Sequence, residues 1–390
     1  MQGGEEMKKA YFIEIQPTTE QKTKIHQTIG VCRYVYNFYL AKNKEVYEKD
    51  GSFMSGYDFS KWLNNVHTLE KDQWIKEISS KAVKQSIMNA DKAFRNFFVG
   101  KAKFPRFKKK KNQDVKCYFP KNNKTDWTIE RHRVKIPTLG WMRLKEFGYL
   151  PEKAIVKSGT VSQKAGRYYV SVLCEVDSQG KQPAVKNEGL GIDLGIKDFA
   201  VCSNGSVYKN VNRSVRVRKL EKKLTREQRS LSRKYENLKK RGEKAVAKRA
   251  NINKNILRVQ KLHTRLANIR LEYVKSVVSQ VVKTKPRFIT IEDLNVKGMM
   301  KNRHLSKAVA QQCFYTFKTW LTAKCKELHI ELRQVDRFYP SSKLCSCCGK
   351  KKMDLKLSDR TYTCKCGHVM NRDLNAAVNL LQAKEYIILT

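Results

Sequence analysis

Apolar and polar residues alternate in KAYFIEIQ, from Lys9 to Gln16, a pattern typical of a half-buried β-strand. Thr18 and Gln21 then have the spacing of a capping box, so we predict that a helix begins there. Apolar residues follow at intervals of three and four positions, namely Ile25, Ile29, Cys32, Val35, Tyr36 and Tyr39. After a polar break around residues 51–58, helical patterns continue over residues 74–98. This part of the chain therefore predicts one strand and a helical region.

A different pattern begins at Gly100, where GKAKFPRFKKKKNQ combines many cations with Pro105, a residue that a continuing helix does not tolerate. Shorter runs follow and predict β-strands at Val115–Phe119, Trp127–Ile136 and Trp141–Lys145. The run VKSGTVSQKAGRYYVSVLCEV predicts a hairpin that turns at Ala165 and Gly166. We expect these strands to pack as a small β-barrel. A Gly, Pro and Lys linker over residues 179–187 marks its boundary.

The second half of the chain alternates strand and helix patterns. Strands are predicted near Val207 and for LGIDLGI, DFAVCSN, RFITIEDL and IELRQVD, and a helix is predicted from about Ser306 to Leu328. Between Val207 and RFITIEDL, two leucine-rich helical patterns flank Gly242, which favours an antiparallel helical hairpin. This order indicates an α/β layer with mixed connections.

Charge narrows the class of partner. The 390 residues include 81 Lys and Arg against 36 Asp and Glu, a formal net charge of +45, while 41% are hydrophobic, so disorder throughout is excluded. Nucleic acid is the predicted partner because an acidic metabolite carries too few charges, and a membrane surface is the weaker alternative. No run approaches the roughly 18 apolar residues of a spanning helix, and residues 1–9 lack a signal-peptide core, so we expect a cytoplasmic protein.

Two groups of residues are candidates for nucleic-acid contact. In the helical region, basic residues and polar-tipped aromatics exceed what a small core needs, and the candidates are Arg33, Tyr36 and Asn37. In the charged segment, cations interleave with Phe104 and Phe107, and the candidates are Lys103, Arg106, Lys108, Lys109 and Lys110. The alternatives are an ordinary helical core for the first group and a solvated loop for the second.

Cysteine spacing predicts a metal site. Five of the 11 cysteines lie close together in CSCCG and CKCG, whereas the others are scattered singly, which is unlike a disulfide framework. Four thiols in two tight turns suit one structural Zn²⁺, and the proposed ligands are Cys345, Cys348, Cys364 and Cys366. Only one residue separates the last two, so Cys347 or His368 could substitute for a ligand. Chelation should unfold this region locally.

Three carboxylates form a second candidate site. Asp193 lies within an apolar strand pattern, where a buried charge is costly unless it is paired or binds metal. Glu292 ends the apolar run FITIE, and Asp373 opens the last helical pattern. Taken singly, a solvated strand end explains Glu292 and a helix cap explains Asp373. Together they can hold two divalent ions about 3.5 to 4 Å apart, the arrangement that hydrolyses phosphodiesters. Asp198 and Asp293 are weaker candidates.

Four motifs, in this order, resemble one family. GIDLGIKDFAVCSNG, ITIEDLNVKGM, YPSSKLCSCCG and YTCKCGHVMNRDLNAAVNL are similar to the TnpB nucleases of bacterial insertion sequences. CRYVYNFYL and KFPRFKKKK resemble the recognition and wedge regions of that family. The resemblance implies a RuvC-type, RNase H-like nuclease domain with an inserted zinc ribbon, and it assigns catalysis to Asp193, Glu292 and Asp373. The short second cysteine turn departs from the family's commoner CxxC pattern.

The resemblance also implies an activity and its partners. A TnpB protein would be an RNA-guided DNA endonuclease, with a guide RNA from the transposon end and target double-stranded DNA cut beside a short transposon-adjacent motif. Its cofactors would be two Mg²⁺ ions, for which Mn²⁺ can substitute, and one structural Zn²⁺. It would act as a monomer with RNA and associate with the nucleoid when bound to DNA. Recognition of a heteroduplex through its backbone agrees with the charge of +45.

The same resemblance predicts the domain boundaries. The wedge β-barrel would comprise residues 1–18 and 100–187, with a helical recognition domain between them at residues 19–99. The RuvC-like domain would cover residues 188–340 with a helical hairpin at about 213–283, followed by the zinc ribbon at 341–370 and the last RuvC segment at 371–390.

Three other functions use the same features. Compact type V CRISPR effectors share the motifs and differ in gene neighbourhood. A non-catalytic DNA-binding regulator would use the basic surface and the ribbon, and would tolerate loss of Asp193. A transposase or junction-resolving enzyme would also use three acids and two metals, but without guide RNA.

Overall fold

The structure is a computed structural model that describes residues 6–109, 115–121, 127–152, 154–177, 188–240, 246–356 and 358–390. The chain divides into two compact units, Met1–Ser178 and Gln179–Thr390. The predicted linker over residues 179–187 lies outside the described residues, as does Gly242.

The first unit combines one sheet with a group of helices. In chain order its elements are β1 (Glu6–Gln16), α1 (Thr19–Asp50), α2 (Gly56–Trp62), α3 (Thr68–Glu70), α4 (Ser80–Phe98), β2 (Val115–Pro120), β3 (Thr128–Ile129), β4 (Arg133–Ile136), β5 (Gly140–Leu144), β6 (Ile155–Lys164) and β7 (Arg167–Asp177). A π-helical turn at Leu63–His67 and a 3₁₀ turn at Gln73–Glu77 lie among the helices.

The start and end of α1 follow from local chemistry. Thr18 and Gln21 form the predicted capping box, in which each side chain accepts from the other's backbone N–H. Gly51 ends the helix with φ of 63°, a left-handed conformation that costs glycine little. One face of α1 packs with α2 and α4 around fully buried Tyr39 and Phe59. The predicted strand and helical region are therefore both present.

Seven antiparallel strands form the sheet of the first unit, in the order β2-β6-β7-β1-β5-β4-β3. β6 and β7 form the predicted hairpin, and Ala165 and Gly166 make its turn with φ of 51° and 77°. The single strand predicted for Trp127–Ile136 is wrong, because this segment folds back on itself as β3 and β4. The pairs described leave β2 and β3 at the two ends of the sheet, so closure into a barrel stays a prediction.

The second unit is an α/β layer. Its elements are β8 (Leu190–Leu194), β9 (Asp198–Cys202), β10 (Val207–Lys209), α5 (Val215–Lys240), α6 (Val246–Lys283), β11 (Phe288–Glu292), α7 (Val296–Met299), α8 (Ser306–Gln312), α9 (Phe314–Glu327), β12 (Glu331–Val335), β13 (Thr361–Thr363), β14 (Val369–Asn371), α10 (Arg372–Gln382) and β15 (Ile387–Ile388). Six of its strands form one sheet in the order β10-β9-β8-β11-β12-β15. β8, β11 and β12 are parallel, and the other pairings are antiparallel, as the predicted mixed connections require.

The two faces of this sheet are covered by different helices. Ile192 and its alternate neighbours pack against apolar residues of α6 and α9 in one core. Gly191, which points to the opposite face, lies under α10. The sheet is therefore covered on both faces near its centre, which suits the nearly continuous apolar character of β8 and β11.

Two helical predictions have different outcomes. α5 and α6 pack along each other, and the antiparallel pairing is fixed by contacts such as Arg270 to Glu221 and His263 to Gln228. The single helix predicted from Ser306 to Leu328 is wrong, because Cys313 has φ of 57° and separates α8 from α9. Among the helices of the described ranges, none combines the length and the apolar character that crossing a bilayer requires.

Candidate active site and metal centre

Two of the three predicted carboxylates lie on adjacent parallel strands. Asp193 is near the end of β8, and Glu292 is the last residue of β11. The register pairs Ile192 with Ile291, so the next residue on each strand, Asp193 and Glu292, lie side by side on the same face. Carboxyl ends of parallel strands are where open α/β sheets place their functional groups.

The third carboxylate reaches the same face through α10. A Cβ on Gly191 would lie 2.0 Å from the Ala377 carbonyl oxygen, so only glycine allows the helix to pack this closely. Asp373 lies one helical turn before Ala377, and its charge acts on Asp193. Asn371 caps the helix, and its side-chain oxygen accepts from the backbone N–H groups of Asp373 and Leu374.

The charges of the three carboxylates act on one another. Burial raises the pKa of Asp193 well above its ordinary value, and the negative charges of Glu292 and Asp373 raise it further, while Arg372 acts in the opposite direction. Burial likewise raises the pKa of Glu292. Hard oxygen ligands that repel one another are a donor set that divalent cations satisfy. The residues present therefore fit the predicted Mg²⁺ site.

Sequence reasoning missed a residue that contacts this group. The Ser341 hydroxyl donates a hydrogen bond to the Glu292 carboxylate, which opposes the rise in the pKa of Glu292. Asn379 of α10 donates its side-chain N–H groups to the carbonyls of Ser341 at 2.7 Å and Leu344 at 2.8 Å. Asn379 thus holds the residue that bonds Glu292, so α10, which carries Asp373, also helps to position Glu292.

The four predicted zinc ligands come together. Their sulfur atoms, from Cys345, Cys348, Cys364 and Cys366, all lie within 4.8 Å of one another. Gly349 and Gly367 end the two turns with φ of 72° and 86°. The alternatives are less suited: Cys347 is exposed and outside the cluster, and a ring nitrogen of His368 hydrogen-bonds the Ser346 hydroxyl at 3.0 Å. Four sulfur donors at this spacing fit a structural Zn²⁺.

This cysteine cluster is attached to the carboxylate site. Asn375 of α10 accepts from the Ser346 backbone N–H at 3.0 Å and donates to the Leu344 carbonyl at 2.7 Å. Both partners belong to the first cysteine turn, and Asn375 is fully buried. The turn that holds Cys345 is thus fixed to the helix that begins with Asp373.

The charged segment of the first unit presents most of its predicted contacts to solvent. Lys103, Arg106, Lys108 and Lys109 are exposed, while Lys110 lies outside the described residues. The Lys108 ammonium lies 3.7 Å from the centre of the Tyr36 ring, and the Asn37 side chain hydrogen-bonds both backbone groups of Lys108. Tyr36 and Asn37 therefore hold this segment against α1, and their contact with nucleic acid stays a prediction.

A basic cavity of about 490 Å³ adjoins this segment. Cationic side chains from α1, the charged segment and β2 contribute to it, and these are Arg33, Lys108, Lys109 and Lys116. Gln85, Ser86 and Asn89 of α4 add neutral hydrogen-bonding groups. Such a lining suits phosphate together with the edge of a base.

The fold and three family models show what this chain is similar to. The chain resembles the structure "Cryo-EM structure of the Cas12f1-sgRNA-target DNA complex", with a TM-score of 0.57 and 13% identity over 98% of this chain and 100% of that one. Family models match at residues 7–52 ("Helix-turn-helix domain"), 171–303 ("Probable transposase", OrfB_IS605) and 314–380 ("Cas12f1-like, TNB domain"). Residues 7–52 fold here as a strand and one long helix.

Two relatives then identify the family. The chain is 30% identical to "Putative RNA-guided DNA endonuclease InsQ" of Escherichia coli (strain K12) over 97% of this chain and 93% of that protein. It is 31% identical to "Putative RNA-guided DNA endonuclease" of Streptomyces pristinaespiralis over 97% and 90%. The chain belongs to the OrfB/IS605 family, the TnpB family that its motifs resemble.

Proposed function

We propose that this protein is the RNA-guided DNA endonuclease of an insertion sequence, and that it cleaves target double-stranded DNA beside a short transposon-adjacent motif. One observation carries the proposal: Asp193, Glu292 and Asp373, from two strands and a helix, converge on one face of the sheet. The names of the two relatives support the same activity. A net charge of +45 supports a guide RNA and its DNA target as partners.

The three carboxylates are the proposed catalytic and metal-binding residues. Mg²⁺ or Mn²⁺, when bound, supplies an activated water and stabilises the leaving oxygen of a phosphodiester. Asp193 and Glu292 contribute oxygen ligands from neighbouring strands, and Asp373 contributes them from the start of α10. Ser341 keeps the Glu292 carboxylate in one orientation. The proposed role of the cysteine cluster with one Zn²⁺ is structural, because four protein ligands leave no open position for a substrate or water.

The proposed roles of the other regions follow from charge. The first unit, with its exposed cations and basic cavity, binds the nucleic-acid backbone and reads the adjacent motif. The proposed boundaries are a wedge at residues 1–18 and 100–187, a recognition region at 19–99, a nuclease region at 188–340 and 371–390, and a ribbon at 341–370. The proposed assembly is one protein chain with one guide RNA.

The test is sequencing of the RNA that copurifies with the protein, combined with Mg²⁺-dependent cleavage of a plasmid library with randomised flanks. We expect one discrete RNA, and cleavage that follows its variable end. Asp193→Ala should abolish cleavage and retain DNA binding. Asp198→Asn is the matched control, because Asp198 pairs with Lys209 at 3.2 Å and is absent from the groups that act on Asp193.

Three outcomes would overturn the proposal. Equal cleavage by Asp193→Ala would exclude the carboxylate site. Unaffected cleavage after RNA removal would indicate a transposase or resolving enzyme. DNA binding without cleavage in the unsubstituted protein would indicate a non-catalytic DNA-binding regulator.

A further inference from the structure

A short segment beside the carboxylates is fixed at both ends. At one end, the Arg337 guanidinium forms two hydrogen bonds to the Asp293 carboxylate, the shorter at 2.5 Å. At the other end, Ser341 donates to Glu292 and its carbonyl accepts from Asn379. Residues 337–341 therefore lie against the end of β11, at the point where Glu292 joins the carboxylate cluster.

Phe338 projects from this fixed segment into solvent. Its side chain is 86% exposed, more than any other large hydrophobic side chain among the described residues. The backbone N–H of Phe338 donates to the Asp336 side chain at 2.8 Å, and the backbone N–H of Tyr339 donates to the Asp336 carbonyl at 3.1 Å. These bonds form a turn that orients the ring away from the protein. Such exposure is not explained by core packing, and the segment that carries it is not a free loop.

An exposed aromatic ring beside a nuclease site has an evident ligand in an unpaired base. Every base has a π-face, so stacking on an aromatic side chain is tolerant of sequence and needs no hydrogen-bond partner. A strand that enters the carboxylate cluster must present its phosphate there, and its bases must turn away from the cluster. Phe338 precedes Ser341 by three residues in the same fixed segment, and Ser341 contacts the Glu292 carboxylate, so the ring lies on the segment that borders the carboxylate cluster.

We propose that Phe338 stacks on an unpaired base of the DNA strand that is cut, and that this contact positions the strand over the carboxylates. The inference rests on the proposed nuclease function and deepens it by naming a substrate-positioning residue. Phe338 holds the base, while the cations of the first unit attract the backbone without regard to position. Removal of the ring should therefore affect cleavage more than overall DNA binding.

The experiment uses the purified protein with its copurifying RNA, in an Asp193→Ala background that does not cut. The probe is a set of single-stranded DNA oligonucleotides, each with one 2-aminopurine, whose fluorescence is quenched on stacking. We expect one register of quenching that Phe338→Ala abolishes and Phe338→Trp restores. In the cleaving protein, Phe338→Ala should lower the cleavage rate about 5- to 150-fold, the range expected for loss of one base–aromatic stack, and Phe338→Trp should recover most of it.

Controls separate this inference from the proposed function. Tyr315→Ala removes another aromatic ring that is 76% exposed, on α9, and should change neither quenching nor cleavage. Fluorescence anisotropy reports DNA binding in every variant.

Binding with identical quenching in Phe338→Ala would overturn the inference and leave the nuclease proposal intact. A protein that neither binds the oligonucleotides nor cuts the plasmid would overturn both. Because the ring is exposed, we expect the melting temperature of Phe338→Ala to be unchanged.

Discussion

A hydroxyl next to a buried carboxylate restricts what that carboxylate can do. Without Ser341, the Glu292 side chain could rotate, and its oxygens would meet a metal ion in several orientations. Hydrogen bonds to charged groups contribute roughly 1.5 to 3 kcal/mol, and partners that orient metal ligands typically change affinity or activity 10- to 100-fold. Ser341 is 5% exposed, so this bond is shielded from water.

We therefore predict that Ser341→Ala lowers the cleavage rate about 10- to 100-fold and raises the Mn²⁺ concentration needed for half-maximal activity. Glu292 would lose its fixed orientation, and its pKa would rise further because the hydrogen bond that lowers it is gone. The measurement is a Mn²⁺ titration of cleavage, accompanied by Mn²⁺ binding followed by electron paramagnetic resonance. Ser306→Ala is the control, because the bond of that hydroxyl among the described residues is local, to the Arg303 carbonyl. Equal Mn²⁺ affinity in Ser341→Ala and the unsubstituted protein would contradict this role.

The sequence predicted the acids better than their supporting residues. Asp193 and Glu292 are conspicuous because a charge interrupts or ends an apolar run, and such a charge needs a partner. Ser341 lies in the polar run YPSSKL, where nothing in the local pattern distinguishes it from Ser342. Its contact with Glu292 depends on the path of the chain after β12, which is a tertiary property. The only local signal is its closeness to the cysteine turn.

At the scale of elements, the approach of α10 to β8 decides where Asp373 lies. A Cβ at Gly191 would also come within 2.6 Å of the Leu381 backbone nitrogen. The atoms that it would meet are therefore backbone atoms of α10, and no flexible side chain can give way. Neither the strand nor the helix backbone can move aside without disturbing the sheet core. The glycine therefore sets the distance between the helix and the first carboxylate strand.

We predict that Gly191→Ala destabilises the second unit by about 3 kcal/mol and lowers its melting temperature by roughly 6 to 12 °C, because α10 must move outward. Cleavage should fall with it, since Asp373 moves with the helix. Differential scanning calorimetry and the plasmid assay measure the two effects. Gly30→Ala is the control: this glycine lies within α1 with nothing within 4 Å of an added Cβ, and should be neutral or stabilising by up to about 1 kcal/mol. A melting temperature for Gly191→Ala within 1 to 2 °C of the original would contradict the packing argument.

The ribbon cysteines offer a second test at this scale. Cys348→Ser should lose bound zinc, because it removes one of four sulfur donors, and should lower cleavage, because the first cysteine turn is fixed to α10 through Asn375. Cys347→Ser, at the adjacent exposed position, should retain both. Metal content by inductively coupled plasma mass spectrometry distinguishes the two variants. Zinc loss in Cys347→Ser alone would reassign the ligand.

Element boundaries divide into those with local causes and those without. The capping box at Thr18 and the hairpin turn at Ala165 and Gly166 arise from neighbouring residues, so the sequence predicts them. The break at Cys313 does not, because cysteine has no preference for the left-handed region and apolar spacing continues through it. Val309 of α8 and Phe314 and Phe317 of α9 all pack into the sheet core, so the break between the helices accompanies tertiary packing rather than a local preference.

At the scale of the molecule, charge determines how strongly binding depends on salt. Each phosphate contact releases counterions, which contributes about 0.9 to the slope of log affinity against log salt for duplex DNA. Lys103, Arg106 and Lys109 are exposed in the charged segment. Lys108 is different because its chain is held by Tyr36 and Asn37.

We predict that replacing Lys103, Arg106 and Lys109 together by Ala weakens duplex binding and lowers the magnitude of the salt slope by about 2 to 3. Fluorescence anisotropy across a range of KCl concentrations gives the slope. The control replaces Lys145, Lys275 and Lys324, which pair with Glu14, Glu272 and Glu327, and should change the slope less. An unchanged salt slope in the first variant would show that the charged segment does not contact phosphates and is a solvated loop.

The late position of Asp373 in the chain has a consequence for synthesis. The ribosome completes the sheet strands that carry Asp193 and Glu292 long before it reaches α10. On the proposed function, the nascent polypeptide cannot cut until the last acid is in place. A nonsense mutation between codons 293 and 372 would remove Asp373 together with α10, which covers one face of the sheet, so on the proposed function the truncated product would lose both the last acid and the packing of that face.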